Sequence, residues 1–283
     1  MRALFVALLI GCSSAPEETS TEDSATEDSA SEGSASEDSA TVDETSATES
    51  GPADSSVADT MVVAETGSVD PPFGASSKGS GGAATSGTVT MAGAVTYRMI
   101  APAPSAAMPL LVVYSGTEGG ATMTNNLMSL RGMTGTAGFL FAVLDGKDYF
   151  DNGAAGATVL DDVRKKYDVD NDRTYLLSES AGTRAGLKLG FHLRQSYFAA
   201  YWANDVNFAD GPETTAAMLG FAPHGQSGPG GDLPDATSIV TKMKAAGYRV
   251  PTPAPYDGPG STTHGAPQQF IAAVSWFPGK TRK

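Results

Sequence analysis

The amino-acid sequence predicts an α/β fold over residues 85–283, with a mostly parallel sheet covered by helices on both faces. Short, fully apolar segments of strand length occur in this region, such as Leu110–Tyr114 and Phe139–Leu144. Segments with helical periodicity separate them, as in Ala157–Tyr167. Strands buried on both faces read as continuous apolar runs, and strands that alternate with helices form parallel sheets. Together these patterns indicate one α/β domain.

The predicted elements follow one another in a regular order. Two leading strands around Ala-Gly form a hairpin signal, and Pro234-Asp235 starts a later helix. The predicted strands are Thr88–Thr90, Val95–Ile100, Leu110–Tyr114, Phe139–Leu144, Thr174–Leu177, Phe198–Ala203 and Ala217–Ala222, and the predicted helices are Thr122–Gly132, Ala157–Tyr167, Thr183–Gln195, Ala236–Ala246 and Pro267–Trp276. Ligands bind at the carboxyl ends of such strands, so the polar stretches after them are the candidate site.

Residues 12–84 differ from the domain in composition. Of the 32 acidic residues, 16 lie between Glu17 and Asp70, whereas no lysine or arginine occurs between Ala3 and Ser77. Ser13–Ser56 repeats a five-residue T/S-E-D/G-S-A unit. Few apolar side chains and many like charges do not offset the entropy of ordering. We therefore predict a disordered acidic linker over 12–84 that acts as a spacer, with calcium or partner binding as the alternative.

The first twelve residues have the pattern of an export signal. A basic start, Met1-Arg2, precedes the apolar run Ala3–Ile10 and the small residue Gly11. Cys12 is the single cysteine of the chain, which excludes intramolecular disulfides. The run Leu-Ile-Gly-Cys resembles the lipobox of bacterial lipoproteins. This resemblance implies that residues 1–11 are removed, that Cys12 is lipidated and that the protein is anchored in the cell envelope, with the outer membrane expected; a plain secretory signal is the alternative.

The charge balance of the domain excludes one class of partner. From Ser77 onward the sequence has 16 acidic and 17 basic residues, and no basic patch interleaved with aromatic residues occurs. We therefore expect no nucleic-acid partner. The longest apolar runs of the domain are too short to cross a bilayer.

The stretch Tyr175–Gly186, YLLSESAGTRAG, carries the main chemical signal. A short strand leads into a tight turn and then a helix, as a nucleophile elbow requires. Ser180 occupies the position of the nucleophile, and the small residues Ser178 and Gly182 lie two positions on either side. Ser178 replaces the first glycine of the G-x-S-x-G pattern. A serine in an ordinary strand-to-helix turn is the alternative.

Several further blocks extend this signal over nearly the whole domain. They are YRMIAP, PLLVVYSGTEGG, VLDDVRKKYDVDNDRTYLLSESAG, an HG after the seventh strand, KMKAAG and PGSTTHG before the last helix. Their order and spacing resemble the α/β-hydrolase superfamily, and within it the branch of poly(3-hydroxybutyrate) depolymerases and feruloyl esterases. The resemblance implies an α/β-hydrolase fold and a serine hydrolase that cleaves carboxylic esters of small molecules or polymers without a metal or cofactor.

The general base is expected among three histidines. His264 lies in a glycine-rich loop before the last helix, where the base of this fold belongs in the chain order Ser, acid, His. His192 falls on the helix after the elbow, where a surface or packing role is expected. His224 follows the seventh strand and is expected to be structural.

The catalytic acid is not at its expected position. The HGxxD pattern of the resembled family puts aspartate where this chain has Gly228. Asp232 follows in a glycine-rich loop and is our candidate, whereas Asp235 is expected to cap the next helix. Asp205, after the preceding strand, is the alternative acid.

The oxyanion hole is expected from two backbone N–H groups. One belongs to Ala181, directly after the nucleophile, and by register with the family's HGGG the other belongs to Thr117. Glu118 beside Thr117 is unfavourable for an oxyanion unless its carboxylate points away. These departures leave a second function open: a non-catalytic, hydrolase-like surface lipoprotein that acts as a binding module.

Overall fold

The computed structural model describes residues 70–212, 220–223, 225, 227 and 232–282. The predicted signal segment, the lipidation site Cys12 and most of the acidic linker lie outside these residues. So do His224 and Gly228.

The domain is built on a seven-stranded sheet with the strand order β1-β2-β4-β3-β5-β6-β7. Strands β1 and β2 form an antiparallel hairpin, and β2 pairs antiparallel to β4. The pairings from β4 through β3, β5 and β6 to β7 are all parallel. The strands are β1 (Thr85–Ala92), β2 (Val95–Ala101), β3 (Met108–Tyr114), β4 (Leu140–Leu144), β5 (Val169–Glu179), β6 (Ala200–Asn204) and β7 (Gly220–Pro223).

Helices cover both faces of the sheet. They are α1 (Gly119–Leu130), α2 (Gly153–Lys166), α3 (Thr183–Lys188), α4 (Leu233–Ala245) and α5 (Pro267–Trp276). Alternate residues of β3 belong to two separate apolar clusters. Leu110 and Val112 pack with residues of α2, α3 and α4, whereas Leu111 and Val113 pack with residues of α1 and α5. The prediction of an α/β-hydrolase fold with a mostly parallel sheet is confirmed.

Strand β5 is longer than the sequence pattern predicts. The sequence pattern predicts a strand over Thr174–Leu177, but the strand already begins at Val169. The reason is a non-local contact: Ser76 forms a bridge with Asp170, and the Asn171 N–H donates to the carbonyl of Ala75.

Residues Pro71–Ala83, before β1, also make contacts with the domain. The last residues of the segment assigned to the linker on composition lie against the domain. Arg282 donates to the carbonyl of Pro71, and the hydroxyl of Tyr167 donates to the carbonyl of Ala83. Because these backbone groups find partners in the domain, Pro71–Ala83 packs with it despite its high glycine and serine content.

The helix after the elbow also differs from its prediction. A continuous helix was expected over Thr183–Gln195, but α3 ends at Lys188 and continues as one π-helical turn over Leu189–Leu193. Gly190 in this turn packs against Leu176 and Tyr201, where a Cβ would lie 3.0 Å from both side chains. Within the described residues, no helix is long and apolar enough to cross a membrane.

Candidate active site

Ser180 lies at the end of the central strand β5, at a sharp turn into α3. Its φ is +43°, a left-handed conformation that is strained for a residue with a side chain. The residue is buried, with 9% of its surface exposed. The predicted strand, turn and helix therefore occur in the order of a nucleophile elbow.

Gly182 allows the close approach that this turn requires. A Cβ on Gly182 would lie 2.6 Å from the carbonyl oxygen of Ser115, at the end of β3. Gly146, after β4, is packed against the same point, since its Cβ would lie 1.8 Å from that oxygen. The ends of β3, β4 and β5 thus meet directly beneath the nucleophile, and only glycine fits between them.

Ser178 has a packing role at the position of the missing glycine. Its hydroxyl forms a 2.7 Å hydrogen bond with the hydroxyl of Tyr201 on the neighbouring strand. Both residues are fully buried. A Cβ on Gly186 of α3 would lie 2.6 Å from the Cβ of Ser178. The close packing of strand and helix at this point therefore requires a glycine on the helix, where the family pattern has one on the strand.

His264 contacts Ser180 directly. Its Nε2 lies 2.9 Å from Ser180 Oγ, across 84 residues of sequence. The side chain is 41% exposed on its outer side. The loop that carries it runs into α5, which begins at Pro267 as predicted. The sequence-predicted nucleophile and base are therefore within hydrogen-bond distance of each other.

Asp232 approaches the other nitrogen of the same ring. Its Oδ2 lies 3.8 Å from Nδ1 of His264, which is the distance of an ion pair and longer than a direct hydrogen bond. Asp232 is also the residue before α4, but its side chain makes no capping bond to that helix. The expectation that Asp235 caps this helix is wrong, because Asp235 lies inside its first turn.

Asp205 contacts the backbone of the histidine loop. It follows β6 with a φ of +50° and is fully buried. Its Oδ2 accepts hydrogen bonds of 2.7 Å from the N–H of Gly265 and from Nε2 of Gln269 on α5. The two candidate acids therefore have different contacts. Asp232 faces the ring of His264, whereas Asp205 accepts a hydrogen bond from the backbone of the next residue, Gly265.

The two backbone groups predicted for the oxyanion hole belong to two different loops at the carboxyl ends of β3 and β5. Ala181 is in the turn after Ser180, and Thr117 is an exposed residue in the loop after β3. The carboxylate of Glu118 folds back onto this loop, since Oε1 accepts a 2.9 Å hydrogen bond from the N–H of Gly116. Burial, with a smaller contribution from Asp145, raises the pKa of Glu118, which weakens its repulsion of an oxyanion.

Glu179 is a site residue that the sequence interpretation missed. This buried carboxyl group, directly before the nucleophile, accepts a 2.8 Å hydrogen bond from the side-chain amide of Asn204 and is also hydrogen-bonded to Asp205. Burial, followed by the negative charge of Asp205, raises the pKa of Glu179 well above its usual range. The available signal was an acidic residue directly before Ser180, shortly after the apolar run Tyr175–Leu177.

The other histidine of the described region lies elsewhere. Nε2 of His192 is 3.0 Å from the carboxylate of Asp210, in keeping with the surface role expected for it. In the part of the chain that the structure describes, no group of three or more histidine, cysteine or acidic residues is arranged to hold a metal ion.

Comparison with known proteins finds similarity among solved structures. No family model matches the chain, and no curated protein sequence does. An esterase from the Planctomycetes species Thermogutta terrifontis, Est2, is 13% identical with a TM-score of 0.49, over 68% of this chain and 89% of that one. A thermostable esterase is 17% identical with a TM-score of 0.48, over 66% of this chain and 59% of that one.

A third solved structure belongs to the branch that the sequence resembles. LpqC, a poly(3-hydroxybutyrate) depolymerase from Bordetella parapertussis, is 16% identical with a TM-score of 0.43, over 64% of this chain and 88% of that one. These values describe a partial likeness. The assignment of the α/β-hydrolase fold rests instead on the strand order of the sheet and on the left-handed conformation of Ser180 at the end of β5.

Proposed function

We propose that this protein is a serine hydrolase that cleaves carboxylic esters, with Ser180 as nucleophile and His264 as general base. The contact of 2.9 Å between Ser180 Oγ and His264 Nε2 carries this proposal. A serine hydroxyl is a weak nucleophile until a base within hydrogen-bond distance accepts its proton. The left-handed turn at Ser180 aims the hydroxyl out of the strand and towards that base.

The proposed reaction has two half-reactions. Ser180 Oγ attacks the ester carbonyl while Nε2 of His264 takes the serine proton, and the resulting imidazolium then gives this proton to the leaving alcohol. Water, activated by the same nitrogen, releases the acid from the acyl-enzyme. The N–H groups of Ala181 and Thr117 are proposed to stabilise the oxyanion of each tetrahedral intermediate.

Asp232 is proposed as the acid that stabilises the imidazolium. Its carboxylate is the partner of Nδ1, at 3.8 Å, and a movement of less than 1 Å brings it into hydrogen-bond distance. Catalytic hydrogen bonds are often long in the absence of substrate and shorten in the complex. Asp205 is assigned to the support of the histidine loop instead, because its Oδ2 accepts hydrogen bonds from the N–H of Gly265 and from the side chain of Gln269.

The substrate class is proposed from the resembled branch: an ester-containing small molecule or a polyester. The α/β-hydrolase fold supports many reactions, and no residue described above selects an acyl group. The proposed chemistry uses serine, histidine and backbone donors and requires no metal or cofactor.

Anchoring at the cell envelope is a separate proposal. It is supported by the apolar run before Cys12 and by the acidic segment after it. We propose a lipid on Cys12 and a spacer that holds the domain away from the membrane. Expression of Cys12→Ala in a bacterial host tests this: loss of the protein from the membrane fraction is expected, and unchanged membrane association contradicts it.

Turnover of p-nitrophenyl acetate and butyrate by the full-length protein tests the hydrolase proposal. A fluorophosphonate probe supplies a second measurement, since it labels a reactive serine without ester turnover. Hydrolysis and labelling that both disappear in Ser180→Ala are the expected result. Lys188→Gln removes only an exposed ion pair to Asp151 and is the matched control.

The alternative function is a binding module without catalysis. The distance of 3.8 Å between Asp232 and the ring of His264 favours it. Equal background hydrolysis by the unmodified protein and Ser180→Ala, together with no fluorophosphonate labelling, would establish this alternative.

A further inference from the structure

Two buried carboxyl groups lie against each other beneath the nucleophile. Glu179 is the last residue of β5 and Asp205 follows the neighbouring strand β6. Both are buried. Glu179 pairs with Asn204, the residue before Asp205, across the two strands, and a hydrogen bond to Asp205 is among the causes that raise the pKa of Glu179. Neither residue has a role in the proposed reaction, so the cost of burying two acids next to Ser180 needs an explanation.

Several N–H groups donate to the two carboxyl groups. Oδ2 of Asp205 accepts from the N–H of Gly265 and from Nε2 of Gln269. Oε2 of Glu179 accepts from Nδ2 of Asn204. The orientation of the Asn204 amide is fixed, because its Oδ1 accepts from the indole N–H of Trp202.

A hydrogen bond between two carboxyl groups requires a proton, because ionised carboxylates only accept. Oδ2 of Asp205 already accepts two N–H donors and is therefore suited to the charged state. The proton then belongs on Glu179. We propose that Glu179 and Asp205 share one proton and act together as a positioning pair: protonated Glu179 orients Asp205, which fixes Gly265 and so holds His264 against Ser180.

The charges around the pair agree with this protonation state. Burial comes first among the causes that raise the pKa of Glu179, followed by the negative charge of Asp205, with a further contribution from Glu118 in the loop after β3. Asp145, after β4, and Lys147 act on Glu118. From the loop before α5, His264 faces the site. The nearest charges thus disfavour a second negative charge at Glu179.

A shared proton makes stability depend on pH in a defined direction. The pKa of Glu179 is raised in the folded protein, so the folded state keeps a proton that the unfolded chain loses above an ordinary glutamate pKa of about 4.3. The contribution of this group to the free energy of unfolding is therefore fully present below that pH and decreases as pH rises. Glu179→Gln removes this contribution to the pH dependence.

Comparison of Glu179→Gln with Glu179→Ala in the full-length protein tests the pair. Glutamine still donates to Asp205 and accepts from Asn204, whereas alanine does neither. We expect hydrogen exchange at the amide of Gly265 to stay within about threefold in Glu179→Gln and to accelerate about tenfold or more in Glu179→Ala. Exchange that is unchanged in Glu179→Ala, or equally accelerated in both variants, overturns the proposal.

The same variants test the effect on the reaction, a part of the inference that rests on the proposed function. Glu179→Ala is expected to lower kcat about tenfold with KM nearly unchanged, and Glu179→Gln to restore most of it and to extend activity to higher pH. If ester turnover is absent altogether, the proposed function fails, but the exchange at Gly265 still decides whether the pair positions the loop. Asp151→Asn, an exposed carboxylate paired with Lys188, is the matched control.

A measurement on the unmodified protein covers the case in which the variants do not fold. Carbon-13 labelling of glutamate carboxyl groups reports the protonation of each glutamate by NMR. We expect the Glu179 carboxyl to stay protonated to a pH well above the range of an ordinary glutamate, with Glu118→Gln used to separate the signal of the neighbouring half-buried glutamate. A Glu179 carboxyl that ionises near pH 4 overturns the proposal.

Discussion

The two halves of the candidate site are built in different ways. On one side, Ser180 occupies a turn that is packed closely against the ends of β3 and β4, and His264 meets it at 2.9 Å. On the other side, the acidic function is divided between Asp232, 3.8 Å from the ring, and Asp205, which binds the backbone of the histidine loop.

This difference indicates which side of the site tolerates amino-acid substitutions. The nucleophile depends on a close approach of three strand ends in which a Cβ on Gly146 or Gly182 would overlap the carbonyl of Ser115. Such a closely packed turn allows only one arrangement of the backbone. An acid, in contrast, needs only to bring one carboxylate near an exposed ring, and Asp232 does so from the position before α4. We therefore expect large effects on the nucleophile side and graded effects on the acid side.

The largest effect is expected for Ser180→Ala. Removal of the nucleophile leaves only binding and oxyanion stabilisation, so kcat/KM for p-nitrophenyl butyrate should fall about 10⁴-fold or more. Steady-state kinetics of the purified protein measure it. A decrease of less than tenfold would mean that another group attacks the ester.

A smaller but still large effect is expected for Gly182→Ala. The new methyl group would lie 2.6 Å from a backbone oxygen, so the turn that carries Ser180 must shift. A displacement of about 1 Å lowers turnover about 100-fold. The control is Gly132→Ala, where a Cβ meets nothing within 4 Å. Equal kcat in both variants would show that the turn accommodates an additional methyl group at position 182 without displacing Ser180.

Asp232→Asn and Asp205→Asn should separate the two acids. Asp232→Asn is expected to lower kcat about tenfold, because the Asp232 carboxylate stabilises the imidazolium from 3.8 Å. Tm should stay unchanged, because the side chain is partly exposed. Asp205→Asn weakens buried charged hydrogen bonds that contribute about 1.5–3 kcal/mol, so Tm should fall by about 4–8 °C. Kinetics and thermal unfolding measure both. The reverse pattern would identify Asp205 as the acid that acts on the ring.

The smallest effect on activity is expected for Ser178→Gly, which restores the glycine of the family pattern. The elbow should stay in place, and turnover should remain within about threefold. The buried hydroxyl of Tyr201 loses its 2.7 Å partner, which costs about 1–3 kcal/mol and lowers Tm by a few degrees. A large loss of kcat would show that Ser178 has a role beyond packing.

The sequence predicted the elements whose determinants are local. Helix α5 begins at Pro267 and ends at Trp276 as the pattern indicates, because proline marks its first turn and apolar periodicity defines the rest. The elbow was visible because a strand, small residues and a helix follow one another within twelve residues. The start of β5 was not predictable, because the strand is extended by non-local contacts: Val169 pairs with Met108 of β3, and Asp170 and Asn171 contact Ser76 and Ala75.

By itself, the sequence determined the fold class and the location of Ser180 at the end of a central strand. Both follow from short-range patterns of apolar and small residues. Only the tertiary structure brought His264 to that serine, divided the acidic residues between ring and loop, and placed Glu179 against Asp205. These contacts join residues 26 to 84 positions apart, and their geometry depends on how strands and helices pack, which no local pattern records.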